Sequence, residues 1–191
     1  MGFGYPYSGY PAMCFNGHKN YVLGWYADKQ IIVNPASNGA WSGRLVAFID
    51  YTQASTSRNE YVLIVVGNLY FIQYNLAKGS NFQVKEKANM ITIVTAPNTK
   101  SISSMVASLS AKQFIVMGTY RIEACEMVNA TLTSPKYVTL SVGLSSQGST
   151  CPGATLITLK PTPTPAPITS RPSAMPTRMP TKNKKPTKKS T

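Results

Sequence analysis

The stretch YVLIVVGNLYFIQYNL, residues 61–76, decides the fold class of this chain. It contains two runs of β-branched and aromatic residues, a composition that is typical of strands. Gly67 and Asn68 separate the two runs, and a Gly-Asn pair suits the left-handed conformations of a tight hairpin turn. The stretch therefore predicts two strands joined by a two-residue hairpin.

Similar runs lie on both sides of this hairpin and predict a β-rich domain over residues 28–159. They are QIIV, RLVAFIDY, MITIVTA, FIVMGTYRI and YVTLSVGL, separated by turn-forming clusters such as NPASNG and TSRN. About seven strands at this spacing predict an antiparallel sandwich or barrel-like domain. The segment SISSMVASLSAKQ, residues 101–113, stays open to a short helix, although its serine content argues against one.

One helix is predicted before the β domain, over residues 11–23. Pro11 suits the first turn of a helix, where its missing N–H is not needed. Gly24 then provides a C-cap. Residues on one face recur at helical spacing and predict that this face packs on a core: Cys14, His18, Tyr21, Val22 and Trp25.

Charge is concentrated at the C-terminal end of the chain. The formal net charge is +13, and residues 160–191 contribute eight basic and no acidic residues, which leaves about +5 on residues 1–159. The same segment is rich in Pro, Thr and Ser, so it is predicted to be a disordered tail. Such a tail attracts any polyanion. Its end, KNKKPTKK, resembles a nucleic-acid patch, but the Pro/Thr stalk favours an anionic polymer of the cell wall or matrix over nucleic acid.

The cysteines and one sequon favour an extracellular compartment. Cys125 and Cys151 are a candidate disulfide pair, and Cys14 remains as a possible external link or a buried free thiol. Asn129, in Asn-Ala-Thr, is a candidate N-glycosylation site. No apolar run of about 18 residues predicts a membrane span, and the first residues do not match a signal peptide.

The sequence gives little support for a catalytic or metal-binding role of His18, the single histidine. A zinc site on His18 would use Cys14 at i−4 and would need two more ligands that no spacing in the sequence marks. A Cys14–His18 nucleophile pair lacks a marked oxyanion hole. The aromatic residues Tyr21, Trp25, Tyr26 and Trp41 are compatible with a sugar-binding face, but packing is the favoured interpretation.

Three blocks of the sequence carry a family resemblance. The blocks MGFGYPYSGYPAMCFNGHKNYVLGWY, RLVAFIDY and YFIQYNLAKGSNFQVKEKANMITIV, within residues 1–95, resemble the C-terminal half of gametolysin-type peptidases, the M11 metallopeptidases. The resemblance implies a secreted, metzincin-type zinc endopeptidase that acts on cell-wall or matrix glycoproteins. In that family the metal lies on an HExxHxxGxxH-like helix that precedes these blocks.

The chain itself contains no HExxH segment, and its six acidic residues are scattered singly. The resemblance aligns Met1 with the methionine turn, so residues 1–27 are expected to be the end of the metallopeptidase domain. Zinc belongs to the intact family, and none is expected in this chain, which should be inactive by itself. The alternative hypothesis is a non-enzymatic module, derived from that family, that binds cell wall or polyanion.

Overall fold

The computed structural model describes residues 16–84, 86–98 and 102–158, and their architecture is mainly β. The two α-helices of these residues are α1, Gly17–Leu23, and α2, Pro35–Asn38. Short 3₁₀ turns lie at Ala27–Lys29, Phe48–Gln53, Thr56–Arg58 and Gly79–Asn81. The strands are β1 Gln30–Val33, β2 Trp41–Val46, β3 Glu60–Tyr61, β4 Leu63–Val66, β5 Tyr70–Asn75, β6 Met90–Thr95, β7 Ser104–Leu109, β8 Gln113–Met117, β9 Tyr120–Val128, β10 Tyr137–Leu144 and β11 Thr155–Leu156.

These strands form two sheets. Sheet I has five strands in the order β1-β4-β5-β6-β7, and sheet II has six in the order β11-β8-β9-β10-β2-β3. Most neighbours are antiparallel, but the edge strands β1, β3 and β11 each pair in parallel with their neighbour. The prediction of a mainly β domain is confirmed, whereas the prediction of purely antiparallel pairing is wrong at these three edges.

The two sheets share one hydrophobic core, as in a sandwich. Side chains from both sheets belong to this cluster and are almost completely buried; they include Ile64, Ile72 and Ile93 of sheet I and Leu45, Ile122, Val138 and Leu140 of sheet II. Burial of each such side chain contributes roughly 1.5–3 kcal/mol. This core fixes how the two sheets face each other.

The hairpin at residues 61–76 forms with one change from the prediction. Gly67 and Asn68 both have positive φ, 58° and 54°, and the Leu69 amide donates to the Val66 carbonyl at 3.1 Å. However, Val66 pairs with Tyr70, so the connection is three residues long rather than two. All four residues of β4 are buried, because sheet II covers one face of sheet I and α1 covers part of the other.

Three strand predictions differ from the structure in detail. RLVAFIDY does not continue as a strand: β2 ends at Val46, and the chain turns into the 3₁₀ segment Phe48–Gln53. FIVMGTYRI is two strands, β8 and β9, joined at Gly118, which has a φ of 60°. The helical alternative for residues 101–113 is wrong, because β7 pairs with β6 and buries alternate residues, Ala107 and Leu109.

Helix α1 lies on the outer face of sheet I. Asn16 caps it by accepting a hydrogen bond from the Lys19 amide at 3.2 Å, and it ends at Gly24, φ 68°, as predicted. The start predicted at Pro11 lies outside the described residues. The Tyr21 ring lies 5.2 Å from the Phe71 ring of β5, so the described helix and strands belong to one compact unit.

Among the described residues, no helix is both long enough and apolar enough to cross a bilayer. Met1, Cys14 and the tail 160–191 lie outside the residues that the structure describes.

Candidate functional site

His18 lies on the buried face of α1, where it packs against sheet I. It is 1% exposed, and its ring lies 5.0 Å from that of Phe71 in an edge contact. Burial, and then the charge of Lys19, lowers the pKa of His18, while a weaker backbone interaction with Asn98 acts in the opposite direction. His18 is therefore a neutral packing residue at pH 7.

The described residues do not supply a set of zinc ligands that includes this histidine. Within residues 16–84, 86–98 and 102–158, no group of three or more His, Cys, Asp or Glu side chains could hold a metal ion. The described residues thus do not fit the catalytic zinc that the family resemblance implies, and no step of zinc chemistry is assigned to them.

The disulfide candidates lie together. Cys125 and Cys151 are bonded, with their Cα atoms 5.0 Å apart. Cys125 lies at a register shift of β9 against β10, where Glu126 pairs with Thr139 and Ala124 pairs with Leu140. A bulge of this kind re-aims a side chain. The bond fastens the chain that follows β10 to the outer face of sheet II.

A buried carboxylate holds the same segment beside the disulfide. Glu123 accepts hydrogen bonds from the Thr150 amide at 2.9 Å and hydroxyl at 2.8 Å, and it pairs with Arg121. Burial alone would raise the pKa of Glu123, but hydrogen bonds from Thr150, Ser149 and Arg121 more than offset this and lower it. The guanidinium of Arg121 also stacks 3.7 Å from the Phe114 ring centroid.

A second buried carboxylate lies at the far edge of sheet II. Glu60 is 0% exposed, and its Oε2 accepts a hydrogen bond from Nη2 of Arg58 at 2.8 Å. Nη1 of Arg44 lies 3.5 Å from the other oxygen, Oε1. Burial would raise the pKa of Glu60, but the hydrogen bonds from Arg58, Ser55 and Ser134 and the charge of Arg58 lower it. Arg44 and Arg58 are each about 40% exposed, so the cluster is accessible from one side.

A third ion pair joins two of the blocks that carry the family resemblance. Asp50, at the end of RLVAFIDY, is 2% exposed and accepts a hydrogen bond from Nζ of Lys78, in YNLAKG, at 2.7 Å. Asp50 also acts on Tyr74, whose pKa is raised to about 12, chiefly by burial and then by the charge of Asp50. The Tyr74 hydroxyl donates to the sulfur of Met127 at 3.4 Å.

Sequence analysis missed these three ion-paired clusters because it treated the acidic residues one at a time. One local signal was present: Arg121 and Glu123 are two apart in a strand, which places both side chains on one face. Lys78, the partner of Asp50, is 28 residues away, and the partners of Glu60 are Arg58, two residues away in a 3₁₀ turn, and Arg44, 16 residues away in β2. No single periodicity marks these pairs.

The remaining predicted residues do not come together at one site. Asn129 and Thr131 are exposed in the turn after β9, which leaves the sequon accessible. Tyr21, Tyr26 and Trp41 each pack against a different hydrophobic cluster, whereas Trp25 is 53% exposed. The four aromatic residues therefore do not form one face.

The resemblance to gametolysin-type peptidases rests on the sequence blocks described above and on nothing else. Comparisons of the chain with protein-family models, with curated protein sequences and with solved structures returned no match.

Proposed function

We propose that this chain is the β-rich, non-catalytic C-terminal part of a gametolysin-like secreted zinc metalloendopeptidase that acts on cell-wall or matrix glycoproteins. The observation that carries the proposal is the way in which the resembling blocks interlock. Lys78 of one block pairs with buried Asp50 of another, at 2.7 Å. Asp50 is 2% exposed and Lys78 about half exposed, so two of the resembling blocks meet in a partly buried ion pair.

The helix block joins the same unit. The Asn20 amide group donates to Oε1 of Gln73 on β5 at 3.1 Å, in a buried contact, and Tyr21 packs on Phe71. Each of these residues belongs to a string that resembles the family. Their role in this chain is architectural, so catalysis is assigned to the zinc-binding helix that the family places ahead of these blocks.

An extracellular location fits this proposal. Disulfides persist in oxidising compartments, and Cys125 is bonded to Cys151. The exposed sequon at Asn129 is compatible with passage through the secretory pathway.

The test is to isolate the native protein and determine its intact mass, its N-terminal peptide and its zinc content. The proposal expects a longer protein that contains an HExxH segment and binds zinc, while the recombinant 191-residue chain binds none. A native protein without such a segment contradicts the peptidase proposal.

That contrary outcome would favour the alternative, a non-enzymatic module that binds cell wall or polyanion. The observation behind the alternative is the charge of the tail, eight basic residues and no acidic one. Such a segment attracts acidic polymers without any defined pocket.

A further inference from the structure

The chain contains two Asn-Gly dipeptides, and the fold places them in different surroundings. They are Asn16-Gly17 and Asn38-Gly39. The backbone nitrogen that follows an asparagine can attack the side-chain amide carbon, and this ring closure is favoured because it is intramolecular. Glycine in the following position hinders the attack least, because it has no Cβ. The two dipeptides are chemically equivalent, so their local structure decides which of them reacts.

Asn38 lies in a single exposed turn. It is the last residue of α2, a helix of four residues in which only Pro35 is buried, and both Asn38 and Gly39 are exposed. The side chain of Asn38 has no hydrogen-bond partner among the residues that the structure describes. The Asn38 amide donates to the Asn34 carbonyl at 2.9 Å, and the Gly39 amide donates to the Pro35 carbonyl at 3.2 Å. A single helical turn is marginal in water, so the second bond opens readily and frees the Gly39 nitrogen.

Asn16 is held at both ends of its side-chain amide. Its Oδ1 accepts from the Lys19 amide at 3.2 Å as the N-cap of α1, and its Nδ2 donates to Oγ of Ser103 at 2.8 Å. Gly17, which follows it, is buried, and an added Cβ there would lie 3.1 Å from Cβ of Phe71. Rotation of the Asn16 amide toward the Gly17 nitrogen would break both hydrogen bonds, so the fold opposes ring closure at this site.

We propose that Asn38 is a site of spontaneous deamidation in the folded protein and that Asn16 is not. After loss of its proton, the Gly39 nitrogen bonds to Cγ of Asn38. The bond from Cγ to Nδ2 then breaks, the amide nitrogen takes up a proton and leaves as ammonia, and a succinimide ring remains. Water opens this ring at the side-chain carbonyl to give aspartate, or at the main-chain carbonyl to give isoaspartate. Water is consumed and ammonia is released, without any change of oxidation state.

Either product changes the C-terminal end of α2. The new carboxylate lies beside the carbonyl groups at that end of the helix, which disfavour negative charge. Isoaspartate also adds a methylene group to the main chain, three residues before β2 begins at Trp41. The reaction should therefore loosen the connection between α2 and β2.

The test is to incubate the full 191-residue chain, folded, in mildly alkaline buffer and to follow both dipeptides by peptide mapping. The peptide with Asn38 should gain the mass that accompanies replacement of an amide NH₂ by OH, and it should take up label from heavy-oxygen water. An isoaspartyl methyltransferase should modify the same peptide. Reaction at Asn38 should be at least about tenfold faster than at Asn16. Equal rates at the two sites, or no reaction at Asn38, would overturn the proposal.

Gly39→Ala tests the ring closure itself. It should slow the reaction at Asn38 at least about tenfold, because the added Cβ hinders the attacking nitrogen. Gly39 has a φ of 77°, which strains alanine, so a firmer turn is not the reason for a slower reaction. Gly148→Ala is the matched control, because Gly148 is another exposed glycine with open space for a Cβ, and it should leave the rate at Asn38 unchanged. An undiminished rate in Gly39→Ala would contradict the mechanism.

Unfolding in urea separates the effect of the fold from that of the neighbouring sequence. Without the cap that holds Asn16, the two dipeptides should react at similar rates. If Asn16 stays as slow in urea as in the folded protein, its protection does not come from the fold and the proposal fails. None of these outcomes bears on the peptidase proposal, which is tested by the mass and zinc content of the native protein.

Discussion

At the scale of single residues, His18 should make stability depend on pH near neutrality. Its pKa is lowered in the folded state, first by burial, so the unfolded chain binds the proton more readily. The contribution of neutral His18 is complete above the ordinary pKa of about 6.5 and is lost as the pH falls below it, by at most about 1.4 kcal/mol per pH unit.

The measurement is the free energy of unfolding in urea from pH 7.5 to pH 5. His18 is the single histidine of the chain, so His18→Leu should remove the slope in this range. A slope that is unchanged in the variant would show that another group titrates there.

Glu60 should be the most costly acidic residue to neutralise. Glu60→Gln leaves Arg58 and Arg44 facing each other without the buried carboxylate, and we expect a loss of about 2 kcal/mol at pH 7. Glu126→Gln is the control, because Glu126 is exposed on β9 and should cost less than about 0.5 kcal/mol. Equal losses in the two variants would mean that the buried ion pairs contribute no more than a surface charge.

Protonation of Glu60 should also reduce the stability of the fold, but at a lower pH than protonation of His18. Its folded pKa is lowered, so its contribution is present above the ordinary carboxyl pKa of about 4.3 and is lost as the pH falls through the folded pKa. Glu60→Gln should therefore lose less stability than the parent chain when both are taken from pH 5 to pH 3.

At the scale of secondary-structure elements, Gly17 sets how closely α1 approaches sheet I. A Cβ at Gly17 would lie 3.1 Å from Cβ of Phe71 and 3.2 Å from its carbonyl oxygen. Gly17→Ala should push the helix outward and cost about 1–3 kcal/mol, with faster hydrogen exchange of the α1 amides. Gly148→Ala is the control, since nothing lies within 4 Å of the added Cβ. Unchanged exchange in Gly17→Ala would contradict this packing.

The disulfide should stabilise the segment between β10 and β11, which contains Cys151. Cys151→Ser opens a cross-link between residues 26 positions apart, and we expect a loss of about 3 kcal/mol. The Thr150 amide, which donates to Glu123, should then exchange faster. Peptide mapping without reduction gives the matching check: the parent chain and Cys14→Ser should yield the same Cys125–Cys151 cross-linked peptide, and a cross-link from Cys14 to Cys125 or Cys151 in the parent chain would contradict this pairing.

The elements also show where sequence information ends. The hairpin at Gly67 and the cap at Gly24 were predictable because turns and helix ends depend on local conformation. The parallel pairing of β1 with β4 was not, because it depends on which strand becomes an edge. The hydrogen bond from Tyr51 to Asp28 was missed for a similar reason: the two residues are 23 apart in the sequence, and no periodicity connects them.

At the scale of the whole molecule, most of the net positive charge lies in residues 160–191. Eight of the nineteen basic residues lie in residues 160–191, with no acidic residue among them. The three buried carboxylates, Asp50, Glu60 and Glu123, are each paired with a basic side chain within the β unit. Long-range attraction of an acidic polymer should therefore depend mainly on the tail.

Deletion of residues 160–191 tests this division. At low salt the full chain should bind pectate at least about tenfold more tightly than the truncated chain, and the difference should vanish at about 0.5 M sodium chloride. A variant with glutamine at Lys182, Lys184, Lys185, Lys188 and Lys189 keeps the Pro/Thr stalk and should lose most of the same binding. Because the core lies in residues before the tail, the midpoint of thermal unfolding should stay the same in all three proteins. If the truncated chain bound pectate with undiminished affinity and salt dependence, the polyanion site would have to lie before residue 160, and Arg44 and Arg58, each about 40% exposed, would be the first pair of cations to test.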